Sequence, residues 1–344
     1  MTAATGSGVF QRLLQWWLGH GWPAWIFDAI WMVVLAAVVT AFVLLTVLFL
    51  IWFERKISGD IQSRVGPNRT GGRFGPLQTA ADALKLLMKE DIIPAGADRI
   101  VFILAPFLVF VPTLMVFLVV PFSDRWIVKD LNLGVLFVLA VSALPVIGLF
   151  MAGWASNSKY AMLGAMRAAA QSISYEIPLI LSVVCVVVAA GSLKVGDIVA
   201  AQRDGHWFVL RFPLLIAFLI YLVTAMAEVN RVPFDLPEAE SELVAGYNVE
   251  YSGMRFAIFF VAEFAHLFFV AAFGAALFLG AWQGPLLPPA VWFLIKTYAI
   301  ILLIMWIRWT VPRLRIDQIM GFAWKLLVPA ALLTVLLTAM VGAA

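Results

Sequence analysis

The stretch from residue 227 to 256, AEVNRVPFDLPEAESELVAGYNVEYSGMRF, carries six carboxylates (Glu228, Asp235, Glu238, Glu240, Glu242 and Glu250) against two bases, Arg231 and Arg255. An acidic loop is usually solvated, but Val232, Phe234, Leu236, Leu243 and Val244 interleave with these acids and imply partial burial. Burial raises carboxylate pKa values and brings protonation within reach of neutral pH, so the chemistry on offer is proton exchange. Asp235, three residues before Glu238, could cap a short helix on which Glu238 and Glu242 share a face. Capping would explain two of the acids and leave four.

Two more acids stand inside apolar runs: Glu176 in QSISYEIPLILSVV and Glu263 in FFVAEFAHLFFVAAF. A charge at the centre of a spanning helix costs roughly 2.5–3.5 kcal/mol on insertion scales, so such residues are rarely idle. Pro178 lacks an N–H, which frees the carbonyl of Ser174 and favours a kink or a bound water beside Glu176. His266 follows Glu263 by three residues, giving an acid and a base on one helix face that could pass on a proton; the plainer alternative is a polar contact joining two helices. Lys296 is a candidate counter-charge. A single E-x-x-H supplies half of a di-iron set and only His20 and His206 remain elsewhere, so no metal site is expected.

The elements that must hold these groups are set by composition. Of the 344 residues 64% are hydrophobic and 12% charged, against about 25% charged in soluble domains, and the mean hydropathy is +1.00. The fold class is therefore all-α, a polytopic membrane protein forming one membrane domain over 1–344. Apolar segments of spanning length or near it recur at 29–53, 100–122, 131–156, 168–193, 212–227, 256–281, 289–307 and 326–343, about eight transmembrane helices with the fifth the shortest. Ahead of them, VFQRLLQWWLGHGW, with Trp16, Trp17 and Trp22, reads as an interfacial helix.

Basic residues are retained on the cytoplasmic side. One set of alternate loops carries 16 Lys and Arg and the other set, with the N-terminus, carries 6. Both termini are then periplasmic, and 54–99 and 228–255 are cytoplasmic functional loops. In the first, GPLQTAADALKLLMKED spaces Leu77, Ala80, Ala81, Leu84, Leu87 and Met88 as an amphipathic helix. The Gly- and Pro-rich RVGPNRTGGRFGP before it suits a tight segment pressed against a neighbour. The single cysteine, Cys185, can form neither an intrachain disulfide nor a cluster site and is expected to pack in the core. A net charge of +3 without a basic, aromatic patch gives no reason to invoke nucleic acid. No internal repeat is evident, which weighs against the inverted halves of secondary transporters.

The segments ERKISGDIQSRVGPNR, GPLQTAADALKLLMKE, QSISYEIP, AEVNRVPFDLPEAESELVAGYNVEYSGMRFAIFFVAEF and IRWTVPRLRIDQIMGFAWK resemble, in order and across the chain, the H-subunit family of bacterial respiratory complex I, the counterpart of mitochondrial NADH dehydrogenase subunit 1. The resemblance implies a quinone-chamber subunit in the bacterial inner membrane, part of a proton-translocating NADH:quinone oxidoreductase and not catalytic by itself. It implies a proton-coupling set of Glu176, Glu228, Arg231, Glu238, Glu240, Glu242, Glu250 and Glu263, a quinone chamber drawing on Arg55, Arg64, Asp82, Phe256 and Phe260, and charge partners Arg308 and Arg313. It further implies quinone as the substrate and, as partners, the quinone-reducing peripheral-arm subunits, other membrane-arm subunits and lipid. FMN and iron–sulfur clusters belong to partner subunits, in keeping with a chain that has neither a G-x-G-x-x-G fingerprint nor a cysteine cluster. Alternatives are the homologous component of a membrane-bound hydrogenase and a stand-alone proton channel or transporter.

Overall fold

The protein is described from a computed structural model covering residue 12, residues 15–18, 23–124 and 126–343, apart from the side chains of 204, 240, 241, 342 and 343. Among these residues all regular structure is helical. Seven helices are long and apolar enough to cross a membrane, and Leu214–Glu228 is a shorter apolar helix. The multi-pass all-α architecture expected from composition is thus present. The interfacial N-terminal helix falls mostly on residues outside those described.

Helix α1 (Ala24–Ile61) runs for 38 residues, about 57 Å at 1.5 Å per residue, and so outlasts a hydrocarbon core of about 30 Å. Its early turns expose Trp25, Ile30, Met32, Val33 and Val38, as a lipid-facing surface does, while its last turns carry Glu54, Arg55, Lys56 and Asp60. The chain then folds tightly through 62–77, where the Trp52 indole donates to the Phe74 carbonyl at 3.0 Å. It continues into α2 (Gln78–Met88), the amphipathic helix expected in this loop. Leu77, Leu84, Leu87 and Met88 stay exposed on this chain, so the apolar face of α2 is turned away from the bundle.

The spanning helices that follow are α3 (Arg99–Met115), a pair α4 (Gly134–Ser142) and α5 (Leu144–Ala155) interrupted at Ala143 ahead of Pro145, and α6 (Lys159–Ala190), which ends at Gly191 in the left-handed region that favours glycine. After a short α7 (Val195–Ala200) come α8 (Leu214–Glu228), α9 (Gly253–Phe278) and α10 (Pro289–Thr310). The last span is built from α11 (Ile316–Phe322), a π-helical turn (Ala323–Leu327) and α12 (Val328–Ala343).

Helix α9 is the axis of the bundle. From Phe264 to Phe278 every residue is buried, as expected of a helix that is apolar on all sides. It packs on α3, α10 and α1, while α6 packs on α5, α8 and α12. Small residues allow the closest approaches: a Cβ on Gly274 would lie 2.7 Å from the ring of Tyr221 on α8. Cys185 is buried in this core.

Candidate functional site

The site forms where the last turns of α1, α8 and α10 meet the start of α9. Helix α8 stops at Glu228, the chain reverses through Asn230 at φ 54°, and the Arg231 N–H donates back to the Met226 carbonyl at 3.3 Å. Gln171 on α6 fixes this reversal by donating to the Ala227 carbonyl at 2.7 Å and to Asn230 Oδ1 at 3.1 Å. The turn carries the Arg231 side chain into the bundle, where it is 3% exposed. Arg231 lies 3.0 Å from Glu263 on α9 and 3.3 Å from Glu54 on α1, with its guanidinium 4.3 Å from the Phe264 ring centroid. Glu54 is also paired with Arg308 at the end of α10.

Burial opposes the charge of Arg231, but the carboxylates of Glu263, Glu54, Glu238 and Asp235 more than offset it and hold the pKa above its ordinary value. Charge cannot leave this cluster through the arginine; it can change only on the acids. Asp235 is held at 2.9 Å by Arg313. Glu238 accepts from the Tyr247 hydroxyl at 3.1 Å and from the Asn248 amide at 3.2 Å. Burial, followed by the charges of Glu238 and Glu263, pushes the Tyr247 phenol well above its usual range, so it acts as a hydrogen-bond donor and stays protonated.

Behind this cluster a cavity of about 70 Å³ reaches between α3, α5, α6 and α9. A void needs on the order of 10–15 Å³ to hold one water, so it has room for several. Glu176, Glu228, Glu263 and His266 all line it, together with Asn230 and Tyr247. Glu176 enters from α6 two residues before Pro178. His266 places Nε2 3.4 Å from Glu228 Oε1.

The loop from 237 to 246 closes against α6 by backbone contact. Gly246 has φ +56°, and a Cβ there would fall 1.7 Å from the Pro237 carbonyl oxygen; a Cβ on Gly164 of α6 would fall 2.8 Å from Gly246 Cα. The loop is therefore seated directly on the helix that carries Glu176.

The structure brings Glu176, Glu228, Arg231, Glu238 and Glu263 together, with Arg308 and Arg313 as the ion-pair partners of Glu54 and Asp235. It leaves Glu242 at the rim, paired with Arg167 at 2.6 Å, and Glu250 half-buried in the loop. The Glu240 side chain lies outside the described residues. Glu263 and His266 line one cavity from the same helix, as their spacing suggests, although their nearest partners differ, Arg231 for the glutamate and Glu228 for the histidine. Two expectations are corrected. Lys296 is not a counter-charge to either glutamate: it sits at the opposite end of the bundle on the carbonyls of Leu279 and Gln283. Asp235 does not cap the single turn Glu240–Leu243, whose first residue has no side-chain cap; its carboxylate is taken by Arg313.

Glu54 is the member of this charge cluster that sequence reasoning missed. It stands in WFERK at the end of an apolar run, where a charge looks like the start of a loop, and both of its arginines come from far along the chain.

A second group adjoins the first. Arg55 pairs with Asp82 of α2, Gln78 donates to the same carboxylate at 3.2 Å, and Arg64 donates to Ser58 Oγ at 3.3 Å. Helix α2 packs on α1 and on α9, whose first turns present Phe256 and Phe260 with ring centroids 6.2 Å apart. A polar, basic wall thus stands near an aromatic one at one end of the bundle. Among the described residues no group of three His, Cys, Asp or Glu converges as a metal site would.

Comparison with known proteins supplies the family. Residues 34–339 match the NADH dehydrogenase family. The chain is 52% identical over 335 residues to the H subunit of NADH-quinone oxidoreductase from Geobacillus kaustophilus, covering 96% of this chain and 99% of that one. The protein of the same name from Dehalococcoides mccartyi (strain ATCC BAA-2266 / KCTC 15142 / 195) is 52% identical over 315 residues, 92% of this chain and 87% of that one. That of Geobacillus thermodenitrificans is 50% identical over 332 residues, 95% of this chain and 98% of that one.

Proposed function

The chain belongs to the NADH dehydrogenase family, among relatives named as H subunits of NADH-quinone oxidoreductase, and on that premise we propose that it couples quinone reduction to proton movement through the Arg231 cluster and the cavity behind it. The observation that carries this reading is the cavity itself. It joins Glu176, Glu228, Glu263 and His266, four titratable side chains on three helices, and it abuts a buried arginine whose charge cannot move. Water in such a void gives the acids a path for protons, and the acids titrate as one coupled set, not as single sites.

The second group supplies the redox end. Quinone is a lipid-soluble molecule with a polar head, so its site must offer an apolar approach and a few polar groups at the end. Phe256 and Phe260 suit the ring and tail, and Arg55, Arg64 and Asp82 suit the head. Reduction to quinol takes up two protons next to the Glu54 pair, which shares α1 with Arg55, so a change of charge at the head is felt by the Arg231 cluster. Electrons reach the quinone from peripheral-arm subunits carrying FMN and iron–sulfur clusters, docked on the face built by 54–99 and 228–255. This face is cytoplasmic and both termini are periplasmic, by the distribution of basic residues. The matched relatives, at 50–52% identity, favour the quinone-linked complex over the hydrogenase component and the stand-alone channel.

The test uses the assembled complex in sealed vesicles, with Glu228 and Glu263 each changed to Gln. NADH-driven quinone reduction and vesicle acidification should fall together, because the two steps share the same protonated intermediates. Quinone reduction at the original rate with acidification lost would show a bare proton path and reject the coupling.

A further inference from the structure

We infer that Trp324 is a positioning residue for Glu176, acting from the π-helical turn in the last span through a hydrogen bond to Ser174; this rests on the proton-coupling reading of Glu176. In the turn Ala323–Leu327 the Val328 N–H donates to the Ala323 carbonyl, five residues back, so one extra residue is accommodated.

That residue decides where Trp324 points. In an uninterrupted α-helix, residues seven apart share a face, and Trp324 would align with the fully buried Ala331 and with Thr338. The wide turn puts Ala323 on that buried stripe instead, at 0% exposure, and swings Trp324 to the flank, where it is 47% exposed. From the flank its indole Nε1 donates to Ser174 Oγ at 3.2 Å.

Ser174 is where α6 is weakest. Pro178 removes the N–H that would take the Ser174 carbonyl, so the backbone there lacks a rung just before Glu176. Hydrogen bonds to the last span brace the gap. Trp324 donates to the Ser174 hydroxyl, which itself donates to the Ala170 carbonyl at 2.8 Å, and the Tyr175 hydroxyl donates to the Ile319 carbonyl at 3.0 Å. With Ser174 and Tyr175 tied to one neighbour, the next residue, Glu176, is left facing the cavity. A loose kink would let that carboxylate turn away from Glu228 and the cavity they share. π-Turns of this kind recur at functional sites, and here the turn serves a helix other than its own.

The experiment is a double-mutant cycle in the assembled complex in native membranes, reading NADH-driven quinone reduction per amount of complex. Trp324→Phe keeps the ring and removes the donor; it should slow turnover about two- to twelvefold, the reach of one hydrogen bond. In an E176Q background the same change should add nothing, because there is no titrating group left to position. S174A should match W324F, and S174T, which keeps the hydroxyl, should restore the original rate. W324F at full rate, or W324F slowing E176Q by the same factor, overturns the inference. If W324F fails to accumulate, S174A against S174T carries the same cycle. An E176Q complex at full rate fails differently: it removes the coupling role of Glu176 itself, and the inference with it.

Discussion

Arg231 and Lys296 are both buried cations in this bundle, at 3% and 5% exposure, and they are held at opposite ends by opposite means. Arg231 faces carboxylates, Glu263 at 3.0 Å and Glu54 at 3.3 Å. Lys296 faces dipoles: its ammonium donates to the carbonyls of Leu279 at 2.5 Å and Gln283 at 2.6 Å and lies 4.4 Å from the Trp207 ring centroid. Each arrangement satisfies a buried charge. Only the first can be rewritten, because a carboxylate can take up a proton and a carbonyl cannot. A cation among acids makes a site whose net charge responds to its surroundings; a cation among carbonyls makes a clasp between α9 and α10.

The largest expected effect tests that contrast directly. Arg231→Met leaves Glu54 and Glu263 buried without their shared counter-charge, and breaking a buried pair from one side costs about 3–5 kcal/mol. The complex should accumulate poorly or melt early, and what assembles should not couple. Lys296→Met leaves carbonyl groups unpaired, each at about 1–3 kcal/mol, and should lower the melting temperature while quinone turnover per complex stays within about twofold. Thermal melting of the purified complexes together with turnover separates the two. Equal losses of turnover in both variants would erase the distinction between a responsive site and a clasp.

A smaller effect sharpens the wiring inside the responsive site. His266 lies 3.4 Å from Glu228, while Glu263 lies against Arg231. Groups in contact show coupling of about 0.5–3 kcal/mol, and groups without shared partners add. H266N combined with E228Q should therefore be less harmful to turnover than the product of the single effects, and should depart from that product further than H266N with E263Q does. The reverse pattern would place the histidine's partner on its own helix, as the i, i+3 spacing alone suggests.

That spacing marks where the sequence stopped being informative. Glu176 and Glu263 were legible because a carboxylate in an apolar run has few structural reasons to be there, Glu228 because it opens an acidic stretch interleaved with apolar residues, and Arg308 and Arg313 through the family resemblance of the segment that follows a span. Glu54 was hidden by its position at the end of a run. Its meaning comes from α1 continuing to Ile61 and from arginines 177 and 254 positions away, which no local period reveals. Lys296 was misread for the complementary reason. A lysine in a span invites an acidic partner, but backbone carbonyls at the end of α9 carry no sequence signal at all. The π turn that redirects Trp324 was equally silent, since AWKLL reads as ordinary helix.

The smallest effect lies at the Lys296 end and sets a floor for the comparison. Lys194 sits 2.9 Å from Asp130 and 4.0 Å from Asp197, with its side chain 32% exposed. The hydrogen bond and charge of Asp130 raise the lysine pKa above its ordinary value. A raised pKa means that the folded state holds the proton more tightly than the unfolded one. The pair therefore stabilises fully below the unfolded value of about 10.4 and loses its contribution only as pH climbs through the higher folded value. Solvent screening keeps that contribution to at most about 1 kcal/mol. The difference in melting temperature between the original complex and Lys194→Met should stay constant from pH 7 to 9, and it should shrink in high salt, where the Debye length falls to about 3 Å at 1 M. The penalty of Arg231→Met should hardly respond to salt, because Arg231 and Glu54 are buried and buried pairs are screened little. A Lys194 difference that vanished between pH 7 and 9 would mean that the pair is not what stabilises this end, and a salt-sensitive Arg231 penalty would mean that its cluster is wetter than a buried arginine among glutamates allows.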